Sequence, residues 1–371
     1  MSELINARDS RATIRWKLLT GASALALTSY VSSATLAKAE DSHPVLWLEL
    51  GGEFDSLTDP SQIWVPANLP PAIDHPVTGV LGQTPRIGYD IDGKITFQPD
   101  GSDWNFSAAI QYGKSKRGPR SAHDQTYQTY DNGNKYVPTT YAFTDLHSGR
   151  ETKHIILDFT AGKDLGLGLL GGRGSSTLNF GVRVAQFRER ASGQMTAQMS
   201  APHKYHISYF YGTKRLNANM QAARSFSGVG PSLSWNGSVP IAGSMEEGLA
   251  IDWGANAALL FGRQTTKVRT HTEKLEVTGY TYNYQSGIFH KTLVSAVLTH
   301  STVNSVRNKS VMVPNLGGLV GLSFRHGNAK ISVGYRADFF FGAIDGGIDT
   351  RKEENRGFFG PFASVSVGIG D

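Results

Sequence analysis

The charged side chains of this sequence tend to fall at intervals of two. Glu49, Glu53 and Asp55 are interleaved with Leu48, Leu50 and Phe54, and Arg86, Asp90, Asp92 and Lys94 with Ile87, Tyr89, Ile91 and Ile95. Asp158, Arg183 and Asp252 each sit in a run of the same kind, and Arg325, Lys330, Arg336 and Asp338 close the series. Successive side chains of an extended chain point to opposite faces, so each charge faces away from its apolar neighbours. Carboxylates and cations of both signs gathered on one face could neutralise one another as pairs. They could equally line a narrow water-filled path with weak ion preference.

Sharper chemical signatures fail on their context. Gly166–Gly171 (GLGLLG) has the spacing of a dinucleotide fingerprint. It leads into another Gly/Ser stretch and an extended run, not into the helix whose N-terminus must hold a pyrophosphate. Asp90-Ile91-Asp92-Gly93 lacks the third acid and the closing Glu of a calcium loop. His203 and His206 fall on opposite faces of a strand, with no third ligand near them in sequence. Asp145-Leu146-His147 has no partner in sequence, no Gly-x-Ser-x-Gly elbow occurs, and the absence of cysteine removes any thiol nucleophile. The sequence therefore predicts no enzyme, no cofactor and no metal.

The elements that must position the charges begin after a leader. Arg8, Arg11, Arg15 and Lys17 precede a Leu/Ala-rich run from Leu18 to Val31, and Ala37-Lys38-Ala39 supplies small residues at a cleavage site. Residues 1–39 thus read as a secretory signal peptide cleaved near Ala39, and residues 40–371 as one domain. The leader holds five of the 36 Lys and Arg and two of the 31 Asp and Glu, which leaves the remainder close to neutral. A basic nucleic-acid surface loses its support accordingly. No continuous run of 18 apolar residues occurs, so helical membrane spans are not predicted.

Period-2 alternation of apolar and polar residues recurs ten times, at 45–55, 87–97, 104–112, 154–163, 177–186, 229–239, 249–261, 316–324, 331–341 and 359–369. Short connections alternate with long polar ones, among them Ser56–Pro85, Lys114–Thr152, Arg188–Ala223 and Arg263–Val311. Strand-like pieces at His203–Gly212 and Leu275–His300 either extend strands beyond a membrane or add a pair, so eight to fourteen strands fit. Outward aromatics gather at both ends: Phe97, Trp104, Trp235 and Trp253 by the short turns, and Phe54, Tyr112, Phe261, Phe339 and Phe341 by the long segments. An even strand count, unequal loops and two aromatic girdles predict an all-β transmembrane antiparallel up-and-down barrel of about ten strands, with short periplasmic turns and long outer loops. The hairpin Phe226–Gly262 has a nearly uncharged polar face and reads as wall rather than filter.

On Gly228-Val229-Gly230-Pro231, Leu249 through Ala257-Ala258-Leu259-Leu260-Phe261-Gly262, Gly334-Tyr335-Arg336-Ala337-Asp338 and Gly360-Pro361-Phe362, the chain resembles the Legionella-type major outer membrane protein family of pore-forming barrels. Thr177–Glu189 is a weaker match, and the terminal aromatic common in bacterial barrels is replaced by Gly368-Ile369-Gly370-Asp371. The resemblance implies an outer-membrane location and porin activity, and the partners expected are outer-membrane lipid, lipopolysaccharide and the barrel-assembly machinery. The mixed charges leave two readings open: a weakly selective porin, or a structural or adhesive surface barrel with a salt-bridged, closed lumen.

Overall fold

The computed structural model describes residues 46–57, 86–129, 139–165, 174–205, 208–243, 247–283, 288–290, 295–345 and 353–369. The leader, most of the Pro-rich segment after the first strand, Gly166–Gly171 and His206 lie outside the described residues.

Ten long strands form: β1 (Leu46–Leu57), β2 (Arg86–Phe97), β3 (Trp104–Thr129), β4 (Thr139–Asp164), β5 (Ser175–Tyr205), β6 (Ser208–Gly243), β7 (Glu247–Asn283), β9 (Ser295–His326), β10 (Ala329–Asp345) and β11 (Glu353–Ile369). A three-residue piece, β8 (Ile288–His290), pairs with the end of β7. Each long strand pairs antiparallel with the next long strand in chain order, and β1 pairs with β11 from Leu46↔Ile369 to Leu57↔Phe358. The sheet closes on itself as an up-and-down barrel. The β9–β10 connection is a two-residue turn between His326 and Ala329, and Gly327 takes there the left-handed φ of +55° that a side chain disfavours.

The outward face of the lower barrel is apolar and open to its surroundings. Leu50, Phe54, Ile91, Phe180, Leu316, Val320 and Val333 are all exposed, Leu50 by 72 %. In water such a belt would cost about 25 cal/mol for every Å² left wet. In hydrocarbon it is solvated, and a closed barrel leaves no unpaired edge to the lipid. The barrel spans a membrane. At the turn end Trp235 and Trp253 meet edge to face with ring centroids 5.0 Å apart, and Trp235 Nε1 donates to Ser176 Oγ at 2.7 Å. At the other end Phe54, Tyr112, Phe261 and Phe341 are exposed, while Phe339 stacks on Phe359.

Six strands continue past the belt. Pairing runs to Thr129↔Thr139 between β3 and β4, to Tyr205↔Ser208 between β5 and β6, and to Thr278↔Ser295 between β7 and β9. The segments Lys114–Thr152, Arg188–Ala223 and Arg263–Val311, expected as polar connections, are therefore strand for most of their length. The reason is a change of phase. On β5, Leu178, Phe180 and Val182 point outward within the belt, whereas Phe187, Ala191, Met195 and Ala197 point inward above it. Above the belt water surrounds the sheet, so the apolar set turns to the interior and the polar set faces out.

Candidate functional site

The lumen is the candidate site, and each of the ten long strands contributes to it through alternate residues. At its turn end the Arg325 guanidinium lies 4.6 Å over the Trp47 ring. Lys330 Nζ is 2.6 Å from Asp252 Oδ2, and Ser238 Oγ donates to Asp252 Oδ1 at 2.7 Å.

Arg183 centres the next layer. Its Nε and Nη2 donate to the two carboxylate oxygens of Asp158 at 2.7 and 2.8 Å, a bidentate pair. Its Nη1 donates to Asn256 Oδ1 at 2.9 Å and to Asn315 Oδ1, and lies 3.5 Å from Asp338 Oδ1. Five strands meet at this one guanidinium. Gly317 makes room for it: a Cβ there would stand 2.0 Å from Asp338 Oδ1 and 2.6 Å from Asn256 Nδ2. Arg336 sits 3.7 Å from Glu53 Oε2 and 3.9 Å from Asp92 Oδ1, with its guanidinium over Phe362. Two polar cavities adjoin these groups. One of about 210 Å³ is lined by Glu49, Asp92, Lys94, Asp158, Arg336 and Asp338 among others. The second, of about 120 Å³, lies against Lys94, Ser107, Asp158, Asn179 and Arg183.

Higher up, Asp90 Oδ2 is 2.9 Å from His154 Nε2 and accepts from Gln111 Nε2 at 2.9 Å, and Asp55 Oδ1 accepts from the Phe359 N–H at 2.9 Å. Asp55, Asp90 and His154 bring three ligand atoms within 4.8 Å of one another. Hydrogen bonds engage each of the three residues, while Asp90 Oδ1 is buried without a hydrogen-bond partner.

An apolar layer then fills the lumen. Phe187 packs against Phe226, Phe340 and Phe358 with centroids 5.7, 4.7 and 5.5 Å away, and Ile156, Leu260, Val313 and Ile344 complete the cluster. Phe226 and Phe340 are fully buried.

Above it stands a second ionic node of opposite design. Glu189 pairs with Arg356 and Arg150, and lies 3.9 Å from Arg224, which is 4.0 Å from Glu354. Burial alone would raise the Glu189 carboxyl, but the guanidiniums of Arg356, Arg150 and Arg224 outweigh it and hold it well below the usual carboxylate range. Burial raises Glu354, against the pull of Arg224 and Arg356. Beyond the node opens a vestibule of about 960 Å³ lined by Ala191, Gly193, Ala222, Val268 and Ser305, with Arg150 at its edge. Ile156 lines the lower cavity and Arg150 the vestibule. The packing between those two β4 residues spans about 20 Å of strand, at roughly 3.3 Å per residue.

Of the charges expected to line the lumen, Glu53, Asp90, Arg183 and Asp338 are buried in the interior. Glu49, Asp92, Lys94 and Asp158 border the lower cavities, and Asp252, Arg325, Lys330 and Arg336 make the contacts above. The side chain of Arg86 is outside the described residues, as is that of His203. Sequence reasoning missed Arg150, His154, Glu189, Arg224, Glu354, Arg356 and the four phenylalanines. The signal that could have found them is the parity of each strand carried on past the last outward apolar residue. The hairpin Phe226–Gly262, expected to be wall, supplies Phe226 and Leu260 to the interior and Asn256 to Arg183.

These features define a membrane-spanning β-barrel with a charged, layered interior. No known protein family and no curated protein matches the chain. Among solved structures it is similar to the P. putida toluene transporter TodX, at 10% identity and TM-score 0.18 over 88% of this chain and 91% of that one. It is also similar to the transport unit of the autotransporter AIDA-I from Escherichia coli, at 8% identity and TM-score 0.24 over 91% and 94%. Pseudomonas putida OprB matches at 10% identity and TM-score 0.17 over 87% and 93%. Likenesses of this size carry no argument about what this chain does.

Proposed function

We propose that this chain is an outer-membrane, porin-like barrel that allows restricted, weakly selective passive diffusion of small solutes or ions. The reading rests on the polar lower lumen, where cavities of about 210 and 120 Å³ lie against both signs of charge inside a hydrocarbon-facing wall. Charges of both signs favour no one ion strongly, and passage requires the side chains of the Phe187 layer to move aside. An exported precursor with a leader ending near Ala39, insertion by the barrel-assembly machinery, and contact with lipid and lipopolysaccharide go with this placement.

A second reading is favoured by one observation, the packing of Phe187, Phe226, Phe340 and Phe358 beneath the Glu189 node. In that reading the lumen stays shut, and the strand extensions above the belt serve as a structural or adhesive surface. Ten strands lie nearer the closed end of barrel sizes than the open one. Purified barrel in planar bilayers separates the two. Discrete conductance steps, small compared with those of a wide porin and showing weak cation-to-anion preference, are expected. Silence at every voltage and salt concentration would overturn the porin reading in favour of the closed barrel.

A further inference from the structure

Outside the membrane, on the outward face of the β7–β9 extension, three side chains of metal-ligating type converge. His271 and Glu273 stand two apart on β7, and His300 lies directly opposite Glu273 on β9. His271 Nε2 is 3.5 Å and His300 Nδ1 3.6 Å from the same Glu273 oxygen, and the three ligand atoms all fall within 4.8 Å of one another. Ligands held about 2.0–2.1 Å from a tetrahedral ion are spaced about 3.4 Å apart. Two edges of that tetrahedron are therefore present with the backbone as it stands.

The surroundings prepare the ligands further. The other ring nitrogen of His271, Nδ1, is 2.9 Å from Thr302 Oγ1. A hydrogen bond at the non-ligating nitrogen is what orients a metal-binding imidazole and fixes its tautomer. The two imidazoles lie nearly parallel, 19° apart, with centroids separated by 6.4 Å. Among the described contacts Glu273 is paired with these imidazoles and with no lysine or arginine. A plain solvated ion-pair cluster needs neither the shared oxygen nor the Thr302 contact.

We propose that His271, Glu273 and His300 bind a divalent transition-metal ion of borderline softness, such as Zn²⁺, which ties β9 to β7 outside the membrane. Two imidazoles and one carboxylate suit that class, whereas Ca²⁺ and Mg²⁺ require sets of oxygen ligands. The bond matters because β9 is exposed on both faces over most of Ser295–Ser310 and, above Asn315, its described long-strand partner is β7 alone. An edge strand in that position gains most from a cross-strand link.

The test is Zn²⁺ titration of the full folded barrel in detergent, against a chromophoric chelator, together with limited proteolysis of the β7–β9 extension. One Zn²⁺ per chain is expected, with slower cleavage of the extension when Zn²⁺ is present. His271→Ala and His300→Ala should each weaken binding by about tenfold or more and abolish the protection. His326→Ala, which removes the exposed His326–Glu247 pair (3.4 Å), should bind as wild type. The altered residues are exposed, so the barrel folds in every variant. No Zn²⁺ bound by wild type, equal binding by His300→Ala, or equal protection by Ca²⁺ would overturn the site.

Discussion

On β5 the outward residues change from Leu178, Phe180 and Val182 in the lower barrel to Arg188, Arg190 and Ser192 above it, while the inward ones change from Asn179 and Arg183 to Phe187, Ala191 and Met195. The same exchange occurs on β7, where Phe261 is the last outward apolar residue before Arg263, Thr265 and Lys267, and where Ala258, Leu260 and Val268 turn inward. Lipid solvates the outside of the lower half, so polar groups must be satisfied within. Water surrounds the upper half, so apolar groups are buried within. The two ionic nodes obey this division with opposite signs. Arg183 is a cation held by Asp158, Asp338 and two asparagines; Glu189 is an acid held by Arg150, Arg224 and Arg356, with Glu354 beside Arg224. One barrel thus carries a membrane protein's burial rule and a water-soluble protein's rule along the same strands, with the Phe187 layer at the junction.

Breaking the upper node should have the largest effect. Glu189→Gln leaves Glu354 to offset three guanidiniums in a buried site, and removing one partner of a buried ionic set costs about 3–5 kcal/mol. Denaturant unfolding of the barrel in lipid vesicles should show that loss. Next comes the phase exchange itself. Val182→Arg places a charge on the lipid face and should cost about 2–4 kcal/mol, if near the midplane. Ser192→Arg, on the same face of the same strand but above the belt, should stay within about 0.5 kcal/mol. Equal costs at the two positions would erase the boundary drawn between the halves.

Acid titration sharpens the contrast inside the upper node. The Glu189 pKa is lowered on folding from an ordinary value of 4.5, so its stabilisation is complete above that value and is lost as pH falls below it towards the folded pKa. Glu354 is raised from 4.5, so its favourable state is complete below that value and is lost as pH rises through the folded pKa. Glu189→Gln should therefore be much less stable than wild type at neutral pH, with the gap closing below about pH 4.5. Glu354→Gln should equal or exceed wild type at neutral pH and lose that advantage in acid. Stability curves from pH 3 to 8 check both signs. The smallest effect is expected at Glu276, which Lys274 and Lys214 hold below the usual carboxylate range at the exposed surface. Glu276→Gln should change stability by about 0.5 kcal/mol or less, because water and salt screen the pair.

The lower barrel was legible because the contrast between successive residues there is large. Leu48 next to Glu49, or Ile91 between Asp90 and Asp92, leaves no doubt about phase, and all ten strands were visible through such pairs. The upper barrel was not, because its inward residues are Ala191, Gly193 and Ala222 and its outward ones Ser192, Gln194 and Gln221. A period of two with so little contrast reads as a polar segment. The site divided along the same line. Alternation alone put Asp158 and Arg183 on the inner face, but Arg183 also needs Asn315, which is 132 residues away, and Glu189 needs Arg356, 167 residues away. Register around a closed barrel brings those groups together, and single-strand periodicity carries no information about it.

The most direct test of a polar lumen restricted by the Phe187 layer is single-channel conductance of wild type beside the Phe187→Ala and Phe358→Ala double variant. Small, discrete wild-type steps should grow several-fold in the variant, with ion preference still weak. Conductance that is unchanged by the substitutions, or absent from both proteins at every voltage and salt concentration, would contradict it.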